Sequence, residues 1–221
     1  MKKSLILASL LLAGTNMVAS DSIDFDYGMG TTKLDNSNGT IDSTGYSISL
    51  NRNTEKYILS SSFSKGNSES SKIILSGTEF SYNNDYTSLE IFGAYKVKLI
   101  NNIFLAPYLA YNTSSWSDEP YTKISTGQKY SSLETSDTNL KTGIAVGINL
   151  NNDIDNYAYI AYTLDDDLLE SKDYDHHTLN IGVKYKINTR YIMNCNYSQD
   201  LSNDEGISSS SGFVFGVGYI F

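Results

Sequence analysis

The residues best placed to do chemistry are charges that recur two apart: Asp24 and Asp26 near the start, Lys96 and Lys98 in the middle, and Lys184 and Lys186 towards the end. In an extended chain, residues i and i+2 share a face, so each pair projects two like charges from one side of its segment. Glu90 and Lys141 fall on the same small or polar faces. A charge removed from water needs a partner, so these eight residues can neutralise one another as an ionic network. Left unmatched, the lysines would line a constriction favouring anions.

Other constellations point less firmly to chemistry. His176 and His177 are the only histidines, with Ser171, Asp173 and Asp175 close by, a composition some hydrolases use. Adjacent strand residues point to opposite faces, so the histidines do not readily serve one substrate or metal ion, and no enzyme is expected. Asp165, Asp166, Asp167, Glu170, Asp173 and Asp175 crowd one segment, and Asp118, Glu119, Glu134 and Asp137 another. Hard cations take oxygen ligands, but charge runs are usually solvated faces and no ordered calcium-loop spacing is present. No metal or cofactor is expected. Cys195 is the single cysteine and reads as a small apolar residue.

The segments that carry these residues alternate with period two. Ile23, Phe25, Tyr27 and Met29 oppose Asp24, Asp26, Gly28 and Gly30. Leu89, Ile91, Tyr95, Val97 and Leu99 oppose Glu90, Lys96 and Lys98. Leu140, Thr142, Ile144, Val146, Ile148 and Leu150 oppose Lys141, Gly143, Ala145, Gly147 and Asn149. Leu179, Ile181, Val183, Tyr185 and Ile187 oppose Asn180, Gly182, Lys184 and Lys186. Similar stripes run through Tyr46 to Leu50, Tyr57 to Phe63, Tyr191 to Tyr197 and Phe213 to Phe221. Two further segments, Ile103 to Tyr111 and Tyr157 to Leu164, are apolar on both faces, so their orientation is open.

A β-sandwich also alternates, but there the large apolar face turns inward and the other is long and charged. Here the second face is rich in Gly, Ser, Asn and Ala, as though it lined a narrow lumen. Connections alternate as well. Asn51 to Glu55, Ile100 to Asn102, Asn151 to Asp155 and Ile187 to Arg190 are short, whereas most of the intervening loops are long and polar. Short turns at one rim and long loops at the other are the pattern of membrane-spanning barrels. Aromatic residues near both strand ends, such as Tyr57 and Tyr191 at one rim and Tyr46 and Tyr197 at the other, suit two interfacial girdles. The predicted fold is all-β: a closed antiparallel up-and-down transmembrane β-barrel of ten strands, with eight or twelve as alternatives. Ser71 to Tyr82 is expected to rise above the membrane as β-structure continuous with the strand of Leu89 to Leu99. Narrow barrels are usually filled by side chains, which favours a plugged lumen over a pore.

Composition agrees. The 221 residues hold 18 tyrosines, 16 glycines and only 2 prolines, suiting pleated surfaces and turns. Sixteen basic residues against 25 acidic ones make nucleic-acid binding through phosphates unexpected. Lys2 and Lys3, the apolar run Ser4 to Gly14 and the small residues before Asp21 have the form of a secretory signal peptide. The expected organisation is therefore a cleaved signal over residues 1–20 and one barrel domain over 21–221.

With its signal, alternating strands and a final strand ending in Phe221, the chain resembles the small integral outer-membrane β-barrel proteins of Gram-negative bacteria. The resemblance implies an outer-membrane location with periplasmic termini. It also implies that Phe213, Phe215, Val217, Tyr219 and Phe221 form a recognition signal for the barrel-assembly machinery. The expected role is structural, surface-interacting or narrowly porin-like, with a rim enzyme acting on lipid or protein as the alternative. Expected partners are outer-membrane lipids and lipopolysaccharide, the assembly machinery during biogenesis, and a surface ligand of unspecified kind.

Overall fold

The computed structural model describes residues 19–34, 39–75, 77–117, 121–130, 136–167, 176–201 and 207–221. Residues 1–18 of the expected signal 1–20 lie outside them, as do Ser171 and most of the acidic loop residues, among them Asp173 and Asp175. Thirteen strands form one sheet: β1 (Ala19–Leu34), β2 (Thr40–Thr54), β3 (Tyr57–Leu75), β4 (Thr78–Tyr95), β5 (Val97–Ile100), β6 (Ile103–Trp116), β7 (Tyr121–Lys123), β8 (Gln128–Tyr130), β9 (Ser136–Asn149), β10 (Tyr157–Asp167), β11 (His176–Lys186), β12 (Tyr191–Asp200) and β13 (Ile207–Ile220). Ten of them close a ring in the order β1-β2-β3-β4-β6-β9-β10-β11-β12-β13, every neighbour antiparallel. Closure is made by β13 on β1, from Ser22 opposite Ile220 to Leu34 opposite Ile207. A sheet closed on itself leaves no edge in the ring.

The barrel is inside out relative to a soluble fold. Phe25, Tyr27, Met29, Ile48, Leu109, Val146, Ile160, Ile181 and Phe215 are all exposed, on one outward belt. Asp24, Ser49, Lys96 and Thr163 are buried on the inner face. Pairing partners share a face, which is why Phe25 stands between Ile48 and Val217 while Asp24 stands between Ser49 and Gly218. Cys195 lies in that outward register, opposite Phe215 and Val183. Its thiol is therefore expected to react slowly with a charged, water-soluble maleimide and readily with a membrane-permeant one, compared by gel shift on intact cells. Equal rates would show that it faces water.

Two of the four turns at one rim, β2–β3 and β5–β6, are tighter than expected. Asn51 to Thr54 belongs to β2, leaving Glu55 and Lys56 as the turn, and Asn101, Asn151 and Asn152 take positive φ in two of the other three, a conformation Asn tolerates. Arg52 donates to both oxygens of Asp21, each at 2.8 Å, on this rim. At the opposite end β3 and β4 run well past the ring. At ~3.3 Å per residue, the 19 residues of β3 extend ~60 Å, against an apolar band of ~25 Å. Ser71 to Tyr82 is the tip of this hairpin, and β7 and β8 add to β4 there to make a four-stranded projecting sheet.

Register settles the two ambiguous segments. Phe104, Ala106, Tyr108 and Ala110 of β6 face inward, as do Tyr157, Tyr159, Ala161 and Thr163 of β10. Three of these four large inward rings have room because each is paired with a glycine. Tyr108 covers Gly143, Phe104 covers Gly147 and Tyr159 covers Gly182, and a Cβ on any of these glycines would collide with the ring. The same arrangement closes the seam: the carboxylates of Asp24 and Asp26 lie over Gly218 and Gly216.

Candidate functional site

The lumen holds the inward charges in separate groups. At the short-turn end, Lys184 Nζ donates to Asp24 Oδ2 at 2.9 Å, a bridge from β11 to β1 between side chains that are 11% and 3% exposed. Asp26, one rung higher, accepts from Asn194 Nδ2 at 2.8 Å and from Ser47 Oγ at 3.3 Å. Further towards the loop end, Lys141 Nζ donates to Glu90 at 3.0 Å and stands 3.9 Å from Asp165. Lys98 departs from the sequence expectation. The strand breaks at Lys96, whose N–H donates to Lys56 O, and β5 resumes on β6 alone with a register shift between Lys98 and Ile100. Lys98 consequently clears the rim and is exposed rather than joining the inward charges.

A floor crosses the short-turn mouth. The β9–β10 turn is internally braced, with Leu150 N–H donating to Asn156 O and Asp155 N–H to Asp153 Oδ1. Its end is drawn inward: Asp155 is 2% exposed and Asn156 7%. From β2, five places round the ring from β10, Asn53 Nδ2 donates to Ile154 O at 2.5 Å and to Asp155 Oδ1 at 3.2 Å. The oxygen of the same amide accepts from Lys96 Nζ at 2.6 Å, and that ammonium also reaches Thr54 O at 3.1 Å. Lys96 Nζ lies 5.4 Å from the ring centre of Phe104 and 5.5 Å from that of Tyr157, a cation–π contact on both. Lys186 completes the tie, its Nζ 3.5 Å from Asp155 and 3.6 Å from Asp153, while its N–H donates to Asn156 Oδ1.

Above this floor lies a cavity of about 520 Å³. Its wall on β4, β6, β9 and β10 carries Phe92, Tyr108, Tyr157, Tyr159 and several alanines. Phe92 and Tyr108 pack at 5.4 Å between ring centres. The Tyr108 hydroxyl bonds Thr163 Oγ1, and Tyr159 OH donates to Asn196 Oδ1 at 3.2 Å. Asn53 and Asp155 fall in turns on the sequence pattern, Asn156 falls in no assigned element, and the tyrosines are left unoriented. The available signal was a turn, Asn151 to Asp155, with more acid and amide than a tight reversal requires.

The remaining candidates lie outside the lumen. His177 Nδ1 shares a 2.6 Å hydrogen bond with the hydroxyl of Tyr162, in the register of the outward-facing Leu164. The side chain of His176 is outside the described residues, and among those described no three His, Cys, Asp or Glu side chains form a metal-ligating group. Phe213, Phe215, Val217, Tyr219 and Phe221 line the outward face at the β13 end, 39–71% exposed.

With a closed ten-strand ring, an apolar exterior and a polar interior, comparison with solved structures is decisive for the fold. Over its full length the chain superposes on the translocator domain of the autotransporter NalP from Neisseria meningitidis, covering 94% of that chain, with a TM-score of 0.56 at 14% identity. The fold is that of an outer-membrane β-barrel. The transport unit of the autotransporter AIDA-I from Escherichia coli matches 99% of this barrel and 97% of its own chain at a TM-score of 0.53 and 13% identity. An outer-membrane channel from Pseudomonas putida F1 matches 94% and 97% at 0.52 and 12%. No family model and no curated protein matches the chain.

Proposed function

We propose that this barrel is an integral outer-membrane protein with periplasmic short turns and termini, which serves as a surface and structural element whose lumen is tied off from the periplasm. The supporting observation is the link from Asn53 on β2 to Asp155 on the far side of the ring, joined by Lys96 and Lys186. Narrow barrels are ordinarily filled, and here the filling is a hydrogen-bonded floor rather than a scatter of side chains. The projecting sheet of β3, β4, β7 and β8 supplies surface for contact outside the membrane.

Planar-bilayer recording tests the reading. The wild-type protein is expected to give no steady channels. The double variant Asn53→Ala/Asp155→Ala, which removes both ends of the tie, is expected to give frequent openings. Steady ion conductance by the wild-type protein would refute the proposal in favour of a narrow pore. In the outer membrane, Phe213, Phe215, Val217, Tyr219 and Phe221 would present the assembly signal.

A further inference from the structure

We propose that the open edge of β5, at the short-turn rim, binds the phosphodiester headgroup of an anionic glycerophospholipid. β5 is bonded to β6 alone. β3 begins at Tyr57, opposite Tyr95, so the ring offers β5 no second neighbour. The β2–β3 turn comes alongside only at Lys56, whose carbonyl accepts from Lys96 N–H. The backbone N–H and C=O groups of β5 that point away from β6 therefore have no strand beside them among the described residues. Hydrocarbon cannot satisfy such groups, which sets this edge at the depth of the polar headgroups. The side chains agree: Tyr95, Val97, Leu99 and Ile100 are exposed and carry the lipid-facing stripe to its end, where Ile100 is 68% exposed.

The charges around the edge give its sign. Lys56, Lys98 and Glu55 are exposed there, and none of the three makes an ion pair among the described residues. The neighbouring charges of the floor balance, Lys96 and Lys186 against Asp153 and Asp155, so the edge holds two ammonium groups to one carboxylate in a chain whose formal charge is −9. A phosphodiester carries the one negative charge that this surplus neutralises, and its oxygens accept from lysine and backbone N–H alike. A headgroup with its own cation, such as phosphoethanolamine, brings no net charge. Strand addition by a peptide is the other way to fill an edge, and β5 is built against it. It is 4 residues long, it carries Lys98, and its register shifts between Lys98 and Ile100; short length, lysine and bulges are the devices that blunt an edge. Which leaflet supplies the lipid rests on the periplasmic placement of the short turns proposed above, whereas the site itself does not.

Backbone amide NMR of the protein folded in a zwitterionic detergent tests the site with dihexanoyl phosphatidylglycerol, set against dihexanoyl phosphatidylethanolamine and an acidic extended peptide. Phosphatidylglycerol is expected to shift the Val97 to Ile100 amides saturably, and phosphatidylethanolamine to bind about tenfold more weakly. Lys56→Gln/Lys98→Gln is expected to weaken phosphatidylglycerol binding about tenfold. Arg190→Gln removes an exposed cation from the same rim, at a turn whose strands are paired on both sides, and is expected to leave binding unchanged. Heat-modifiable gel migration checks that each variant is folded, and the single lysine variants stand in if the double one does not fold. Equal binding of the two lipids, binding indifferent to the lysines, an equal loss in Arg190→Gln, or saturable shifts with the peptide and none with phosphatidylglycerol would each overturn the proposal. The leaflet is checked separately, by labelling Thr189→Cys on the same rim in a Cys195→Ser background. An impermeant maleimide that reaches it from outside intact cells would refute the periplasmic placement and leave the lipid site standing.

Discussion

Replacing Gly143 with alanine is expected to lower the unfolding free energy of the barrel by about 2–3 kcal/mol, near the upper end of the usual cost of overpacking. Gly143 sits in β9 between Tyr108 of β6 and Thr163 of β10. A methyl group there meets the Tyr108 ring on one side and the Tyr162 carbonyl on the other. Most overpacked sites relax by moving a side chain, but here the second obstacle is backbone already committed to the sheet. Urea unfolding of the detergent-folded protein measures the effect as a shift in midpoint at constant m-value. Gly93→Ala is the control, because a Cβ there touches only Leu59 Cδ2 at 3.5 Å, an ordinary contact. Truncating the ring as well, in Tyr108→Ala/Gly143→Ala, is expected to recover part of the methyl's cost but not all of it. If Gly143→Ala and Gly93→Ala unfold at the same midpoint, the interlocking of rings and glycines does not hold the wall together.

The second large effect lies at the seam. Lys184→Met removes the ammonium 2.9 Å from Asp24 and leaves a carboxylate that is 2% exposed with no other ion-pair partner among the described residues. Breaking a buried ion pair from one side costs about 3–5 kcal/mol, whereas replacing both members by neutral groups is often close to neutral. The double variant Asp24→Asn/Lys184→Met is therefore expected to be more stable than Lys184→Met alone, although it carries one more substitution. Asp24 lies over Gly218 where β1 meets β13, so the orphaned charge weakens the contact that closes the ring. A double variant no more stable than the single one would mean that the pair is not felt as a buried charge. Together these substitutions separate two ways of filling a lumen: apolar rings locked over glycines on the β6–β11 side, and paired charges across the β1 seam.

Much of this was legible in the amino-acid order. A strand in a membrane wall meets lipid on one face only, so Phe25, Tyr27 and Met29 must recur at every second position and Asp24 and Asp26 must fall between them. Short connections alternating with mostly long ones then specify hairpins that return to the same rim, and with them an even, closed ring. Ser71 to Tyr82 was legible as β-structure but not as a hairpin tip: Leu75 ends β3, Gly77 takes positive φ and Thr78 opens β4.

Two things were decided only by tertiary structure. Period two cannot orient a segment whose faces are both apolar, and Ile103 to Tyr111 and Tyr157 to Leu164 are of that kind. They were oriented by glycines on other strands: an inward Tyr108 or Tyr159 fits because Gly143 or Gly182 stands directly opposite. That correspondence exists once register is set and not before. The floor is the other case. Asn53 and Asp155 are 102 residues apart in sequence and on opposite sides of the ring. Local pattern reports which face a side chain takes but not which distant residue shares the enclosed space. Alternation determined that the chain encloses a polar interior, and ring closure decided which of its charges and amides meet there.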